Sequence, residues 1–244
     1  GPMRITGLSN WRAACRVSFA SAMCIATLAT SNMVLAAARS WHKIPVPGAV
    51  CGNGGDYKVF MRPGDPNKVA FAFMGGGVCW NFATCIGPTP MTILAPLEIF
   101  TEGGGFFSTD PKVSALADYT MVFLPYCTGD AFTANHIEKY NGVKVRHVGR
   151  QLVSRTLGHL KQRGLVKFST LTDVAVFGHS AGALASLVHA NTIDHLVPAD
   201  AHKTLISDAP GLHFGDTFWQ KFSDQSFADY RAAMATIDVN LEQD

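Results

Sequence analysis

The feature that most constrains this chain is a short turn in a particular setting. Gly178-His179-Ser180-Ala181-Gly182 follows the apolar run Asp173–Phe177 and opens the apolar stretch Ala181–Thr192. A G-x-S-x-G between a strand and a helix makes a sharp, strained turn that lifts the serine hydroxyl above a sheet. Glycines on both sides let the neighbouring elements approach without a Cβ clash. The helix starts at the serine, so its unpaired amides and dipole favour negative charge beside the hydroxyl. Ser180 is the predicted nucleophile.

The rest of the chain supplies a sheet for such a turn. Val69–Met74, Met121–Leu124, Val174–Phe177 and Thr204–Ser207 are short and almost continuously apolar, the pattern of parallel strands covered on both faces. Val59–Met61 reads as an earlier edge strand. Gln151–Gln162 places Leu152, Val153, Thr156, Leu157 and Leu160 on one helical face, and Ala181–Thr192 reads as a more buried helix. Strands alternating with helices predict a doubly wound, mostly parallel α/β sheet in one domain. Pro63–Lys68, Gly87–Pro90 and Thr101–Pro111 read as loops.

The N-terminal 38 residues read as an address label. Gly1-Pro2 ahead of Met3 has the form of a tag remnant. After it come Arg4, Arg12 and Arg16, then an apolar stretch of small residues, then Leu35-Ala36-Ala37-Ala38. These are the three parts of a secretory signal peptide, with cleavage near Ala38 and a mature domain at 39–244. A membrane anchor is the alternative, but Ser18, Ser21, Thr27, Ser31 and Asn32 dilute the stretch. The net charge of +2 is concentrated here: removing three arginines from 20 basic side chains leaves 17, against 18 acidic ones. The mature domain therefore lacks the basic patch of a nucleic-acid binder, and no nucleic-acid partner is expected. Hydrophobic residues at 48% and charged residues at 16% exclude a disordered chain.

Export agrees with the cysteines. Cys51, Cys79, Cys85 and Cys127 remain in the mature domain, an even number suited to disulfides in an oxidising compartment. Three pairings are open. The short Cys79–Cys85 loop is the easiest to close and would leave Cys51 with Cys127. A zinc site is the competing reading, but no paired C-x-x-C exists and the histidines are scattered. Neither a metal nor an organic cofactor is expected. A serine nucleophile also needs amides for the oxyanion, and Gly75-Gly76-Gly77 follows the strand Val69–Met74. In this arrangement the Gly76 and Gly77 amides would join that of Ala181.

At this point the residues resemble the pectin acetylesterase/Notum-type carboxylesterase family, its bacterial members in particular. The resemblance runs from about Val50 to Phe214. It rests on Gly75-Gly76-Gly77-Val78-Cys79-Trp80-Asn81 with Cys85, on Asp118-Tyr119 and on Pro125-Tyr126-Cys127-Thr128-Gly129-Asp130. His147-Val148-Gly149-Arg150, Gly178–Leu184 and Asp208 belong to it as well. It implies an α/β-hydrolase fold and hydrolysis of an ester, often an O-acetyl group on a polysaccharide. By its place after a strand Asp130 could be a catalytic acid or part of a cation site; the resemblance implies a structural role instead, as an acceptor of amide hydrogen bonds in a loop beside the active site. Two departures touch specificity: the family often has an aromatic residue where Gly77 or Val78 stands, and often Cys where His179 stands. Trp80 and Tyr126 are candidates for a sugar or acyl wall, with core packing as the alternative.

The acid and base are harder to place. In such hydrolases they follow the serine on loops after later strands, and relative to the family the chain reads as C-terminally truncated, lacking the last strands. His189 and His195 sit on or at the end of the elbow helix, and His202 precedes the last strand. His179 is too close to Ser180 to act as its base. That leaves a triad Ser180–Asp208–His213, or else Asp208 and His213 as pocket wall. The expected function is a secreted or periplasmic serine carboxylesterase acting on a small-molecule or polysaccharide ester, with no stable membrane span after cleavage. The competing reading is a non-catalytic hydrolase-like domain that binds an ester or glycan. An acyltransferase using the same serine is a third.

Overall fold

The computed structural model describes residues 40–212, 215, 217–239 and 241. The expected signal peptide and His213 lie outside these residues. The described elements fall within the unit Trp41–Asp244. Among the described residues no helix is long and apolar enough to cross a membrane.

Six strands form one sheet: β1 (His42–Val50), β2 (Asp56–Arg62), β3 (Asp65–Phe73), β4 (Tyr119–Leu124), β7 (Asp173–His179) and β8 (His202–Asp208). Their order is β1-β2-β4-β3-β7-β8. β2 is antiparallel to β1 and β4, and the β4-β3-β7-β8 half is parallel throughout. β5 (His136–Tyr140) and β6 (Val143–His147) form a separate hairpin. The helices are α1 (Phe82–Cys85), α2 (Gly149–Gln162), α3 (Ala181–Asp194) and α4 (Asp224–Ala235). The fold is α/β with a mostly parallel sheet.

Strand alternation gives the sheet two different faces. Phe71, Phe73, Val122, Leu124, Val174 and Val176 join the core that holds Leu152 and Leu160 of α2, Val188 of α3 and Tyr230 of α4. Ala70, Ala72, Met121, Phe123, Ala175 and Phe177 form the second face, against Leu97, Phe100, Phe107 and Leu116. Helices thus cover one side and an aromatic loop the other.

Several sequence expectations change. The predicted central strands and both helices are present, but β3 begins at Asp65, so Pro63–Lys68 is only partly loop. Asp65 pairs with Tyr119, and a register shift separates it from the regular ladder at Val69. β8 is not covered on both faces: it lies at the edge of the described sheet, and Leu205 is 46% exposed. The β5–β6 hairpin is not among the strands expected from the sequence; its turn is Asn141-Gly142, whose φ values of 50° and 82° suit a turn with two left-handed residues. Both disulfides form, Cys51–Cys127 and Cys79–Cys85. The first spans 76 residues and so removes much denatured-chain freedom, worth about 4 kcal/mol in the loop-entropy account.

Candidate active site

The elbow is built from close backbone contacts that only glycine permits. A methyl group at Gly178 would meet the Gly182 carbonyl, and one at Gly182 would run into the Phe73 carbonyl. One at Gly75 would lie 2.5 Å from the His179 carbonyl oxygen and 3.4 Å from Ser180 Cβ. The end of β3, the end of β7 and the start of α3 are thereby pressed together. Ser180 sits at their junction with φ 56° and ψ −123°, a conformation that L residues adopt only where the surroundings enforce it. Its N–H donates to the Asp208 carbonyl at 3.0 Å, and its own carbonyl accepts from Ala183 and Leu184 as α3 begins. Its hydroxyl does not cap the helix.

Ser180 opens on a cavity of about 280 Å³. Gly77, Val78, Trp80 and Ala181 line it together with Phe218, Trp219 and Tyr230. Gly76 and Gly77 have φ values of 153° and 64°, which favour glycine. A side chain on Gly76 would strike the Tyr126 ring, and one on Gly77 the Met91 carbonyl. Among the described residues, none accepts a hydrogen bond from the Gly76, Gly77 or Ala181 amide.

Trp80 is placed in the cavity wall, with its ring 5.5 Å from that of Phe222. Tyr126 is a correction. It is 2% exposed, its hydroxyl accepts the Ala131 N–H at 2.6 Å, and it is core beneath the glycine loop rather than a surface for substrate. Asp130 is equally buried and accepts from Thr128 Oγ1, Phe132 N, Ala134 N and Gly149 N. It holds the loop in which Ala131 and Phe132 both take positive φ, and Ala131 lines the cavity.

The acid–base pair is not assembled among the described residues. Asp208 Oδ2 lies 3.0 Å from His179 Nδ1, and both side chains are about two-thirds exposed, at 67% and 69%. His213 lies outside the described residues, and no other described histidine hydrogen-bonds Ser180. His189, on α3, donates from Nε2 to the Phe132 carbonyl at 2.8 Å, and burial pushes its pKa down to about 4. Burial also lowers the pKa of His147. The one candidate metal grouping among the described residues is Cys79, Cys85 and His147, and both of its sulfurs are already joined in the disulfide. Sequence reading missed Phe218, Trp219 and Tyr230, whose segment shows a helix start only in Ser223, the N-cap that accepts from Ser226 N.

The comparisons with known proteins agree with this architecture. The curated palmitoleoyl-protein carboxylesterase NOTUM of Schmidtea mediterranea is 26% identical over 147 residues, 57% of this chain and 27% of that protein. Pectin acetylesterase 5 of Arabidopsis thaliana is 28% identical over 139 residues, covering 55% of this chain and 32% of its own length. Pectin acetylesterase 11 of the same plant is 26% identical over 173 residues, or 66% and 42%. This chain therefore spans well under half the length of these relatives. The structure of the Wnt deacylase Notum from Drosophila shares the fold, with a TM-score of 0.57 at 17% identity, covering 79% of this chain and 66% of that one. The family model of Pectinacetylesterase matches residues 31–242, and the chain belongs to that family.

Proposed function

We propose that the chain is an exported serine carboxylesterase that hydrolyses an O-acyl ester, an O-acetyl group on a polysaccharide being the favoured substrate. Ser180 Oγ attacks the ester carbonyl and passes its proton to a base. The Gly76, Gly77 and Ala181 amides hold the oxyanion. The alcohol leaves with a proton, and water then releases the carboxylic acid from the acyl-serine. The observation that carries this reading is the strained Ser180 backbone at the mouth of an apolar cavity. Membership in the family, relatives that bear carboxylesterase and pectin acetylesterase names, and two disulfides suited to an oxidising compartment support it.

One observation favours the second reading, a non-catalytic ester- or glycan-binding domain: no described histidine reaches Ser180. Intact-mass analysis after incubation with a fluorophosphonate separates the two. One adduct per chain, absent in Ser180→Ala and lost in His213→Ala, supports the esterase with His213 as base. A folded chain that takes up no label is the non-catalytic domain.

A further inference from the structure

A second cavity, of about 350 Å³, lies on the other side of the elbow, against the sheet face opposite α2, α3 and α4. No residue lines both this cavity and the one at Ser180. Its walls are the side chains of Phe100, Phe106, Phe107, Phe123 and Phe177. These rings already contact one another: Phe100 stacks on Phe123 at 3.8 Å, and Phe107 lies 5.6 Å and Phe106 5.2 Å from Phe177. Phe106 nevertheless remains 45% exposed, so part of this aromatic surface is uncovered. The acidic residues on the lining are Glu102 and Asp208, and the lining holds no lysine or arginine. Asp208 Oδ2 lies 3.0 Å from His179 Nδ1, and the main chain of Glu102 is held by Trp41, whose Nε1 donates to the Glu102 carbonyl at 2.9 Å.

Aromatic faces carry negative quadrupole potential and attract cations, and the attraction is strongest where water is excluded. Carboxylates beside such faces add to that potential and repel anions. We propose that this cavity is a binding site for a small organic cation, an aryl- or alkylammonium compound whose apolar body packs on the phenylalanines while its ammonium group faces Glu102 and Asp208. A fatty acid or a uronate would meet the same carboxylates as like charges. The site is independent of whether Ser180 is reactive.

Three probes of one shape test it on the full chain: phenyltrimethylammonium, its neutral isostere tert-butylbenzene, and the anion benzenesulfonate. Trp41 packs edge-on against Phe100 at 4.7 Å, so its fluorescence reports occupancy, with calorimetry as the second readout. The cation should bind about 10-fold more tightly than the isostere, and benzenesulfonate should not bind. Glu102→Gln should weaken the cation by about 5-fold and leave tert-butylbenzene unchanged, whereas Phe106→Ala should weaken both. Both positions are exposed, so neither variant threatens the fold, and Ser180→Ala should bind the cation as the parent does. Equal affinity for cation and isostere would reduce the site to an apolar hollow. Binding of benzenesulfonate, or of none of the three, would overturn the proposal.

Discussion

Two places in this molecule bear on serine chemistry, and they are built in opposite ways. On α4, Ser226 Oγ lies 3.1 Å from His136 Nε2, and His136 Nδ1 lies 2.7 Å from Asp229 Oδ2. Acid, imidazole and hydroxyl are joined in the order of a catalytic triad. Yet Ser226 is only 6% exposed, has helical backbone and lines neither cavity described above. Its N–H and hydroxyl are both engaged by Ser223 Oγ, which in turn donates to Glu138. Ser180 has no such chain of partners among the described residues, but it has a strained backbone, unclaimed amides nearby and a cavity in front of it. Connectivity alone would favour Ser226. Access and a preorganised place for the oxyanion favour Ser180.

The largest effect expected follows from that contrast. Ser180→Ala should lower hydrolysis of p-nitrophenyl acetate by a thousandfold or more, on the order seen when a serine protease loses its nucleophile. Ser226→Ala should leave the rate within about twofold, because catalysis needs an accessible hydroxyl as well as a base. Peptide mapping of the fluorophosphonate adduct locates the reactive serine. A label on Ser226 would reverse the comparison.

Next comes the packing that makes the elbow possible. Gly182→Ala places a methyl group against the Phe73 carbonyl, which is backbone and has no room to yield. We expect a loss of about 3 kcal/mol or more in urea unfolding, or no folded protein. Gly158, on the exposed side of α2, has open space where its Cβ would be, so Gly158→Ala should stabilise by up to about 1 kcal/mol. Similar results for the two variants would mean that the elbow is not held by backbone contact.

The two sites also differ in how readily they can be read from the amino-acid order. The signals that announce the Ser180 turn lie between Val174 and Thr192, where strand, turn and helix patterns are contiguous, although its contacts with Phe73, Gly75 and Asp208 lie outside that stretch. The glycine loop at Gly75–Gly77 follows its own strand, and the four cysteines fell into the pairing that loop length favours. The Ser226–His136 contact spans 90 residues and His136–Asp229 spans 93, and no local periodicity encodes such pairs. Phe218, Trp219 and Tyr230 reach the cavity through tertiary packing in the same way. Tyr126 was misjudged because an aromatic residue beside a catalytic loop has the same local sequence whether it faces solvent or the core. β8 has an apolar centre, yet its exposure depends on its place in the sheet, a property of topology rather than of its own residues.

The histidines sharpen the comparison further. His136 is met by Asp229 and Glu138, whereas His189, on the elbow helix, meets the Phe132 carbonyl and the Phe73 ring, with the Arg150 charge adding to the effect of burial. Burial holds the His189 pKa near 4, below its ordinary value of 6.5. The folded state thus binds fewer protons than the unfolded chain, and the associated stability is fully present above pH 6.5 and is lost as pH falls toward 4. The shift corresponds to about 3 kcal/mol. Urea midpoints measured from pH 7 to pH 4 should fall accordingly, and His189→Gln should flatten the slope. An unchanged slope would place the acid sensitivity elsewhere.

The smallest effect belongs to the α4 array, if its role is to hold rather than to react. His136 and Glu138 lie on β5, and Asp229, Ser223 and Ser226 lie on or at the start of α4, so the array fastens the helix to the hairpin. Asp229 additionally accepts the Asn135 N–H at 3.0 Å. Removing one partner leaves the others partly unsatisfied, so Ser226→Ala should cost about 1 kcal/mol and His136→Ala about 2 kcal/mol. A double-mutant cycle between His136→Ala and Asp229→Ala should give a coupling of about 1 kcal/mol. α4 also brings Tyr230 into the Ser180 cavity. A loosened helix should therefore raise KM for hydrolysis while leaving kcat near its original value. A fall in kcat with KM unchanged would contradict a purely anchoring role, because an anchor acts through the shape of the cavity and not through the reacting atoms.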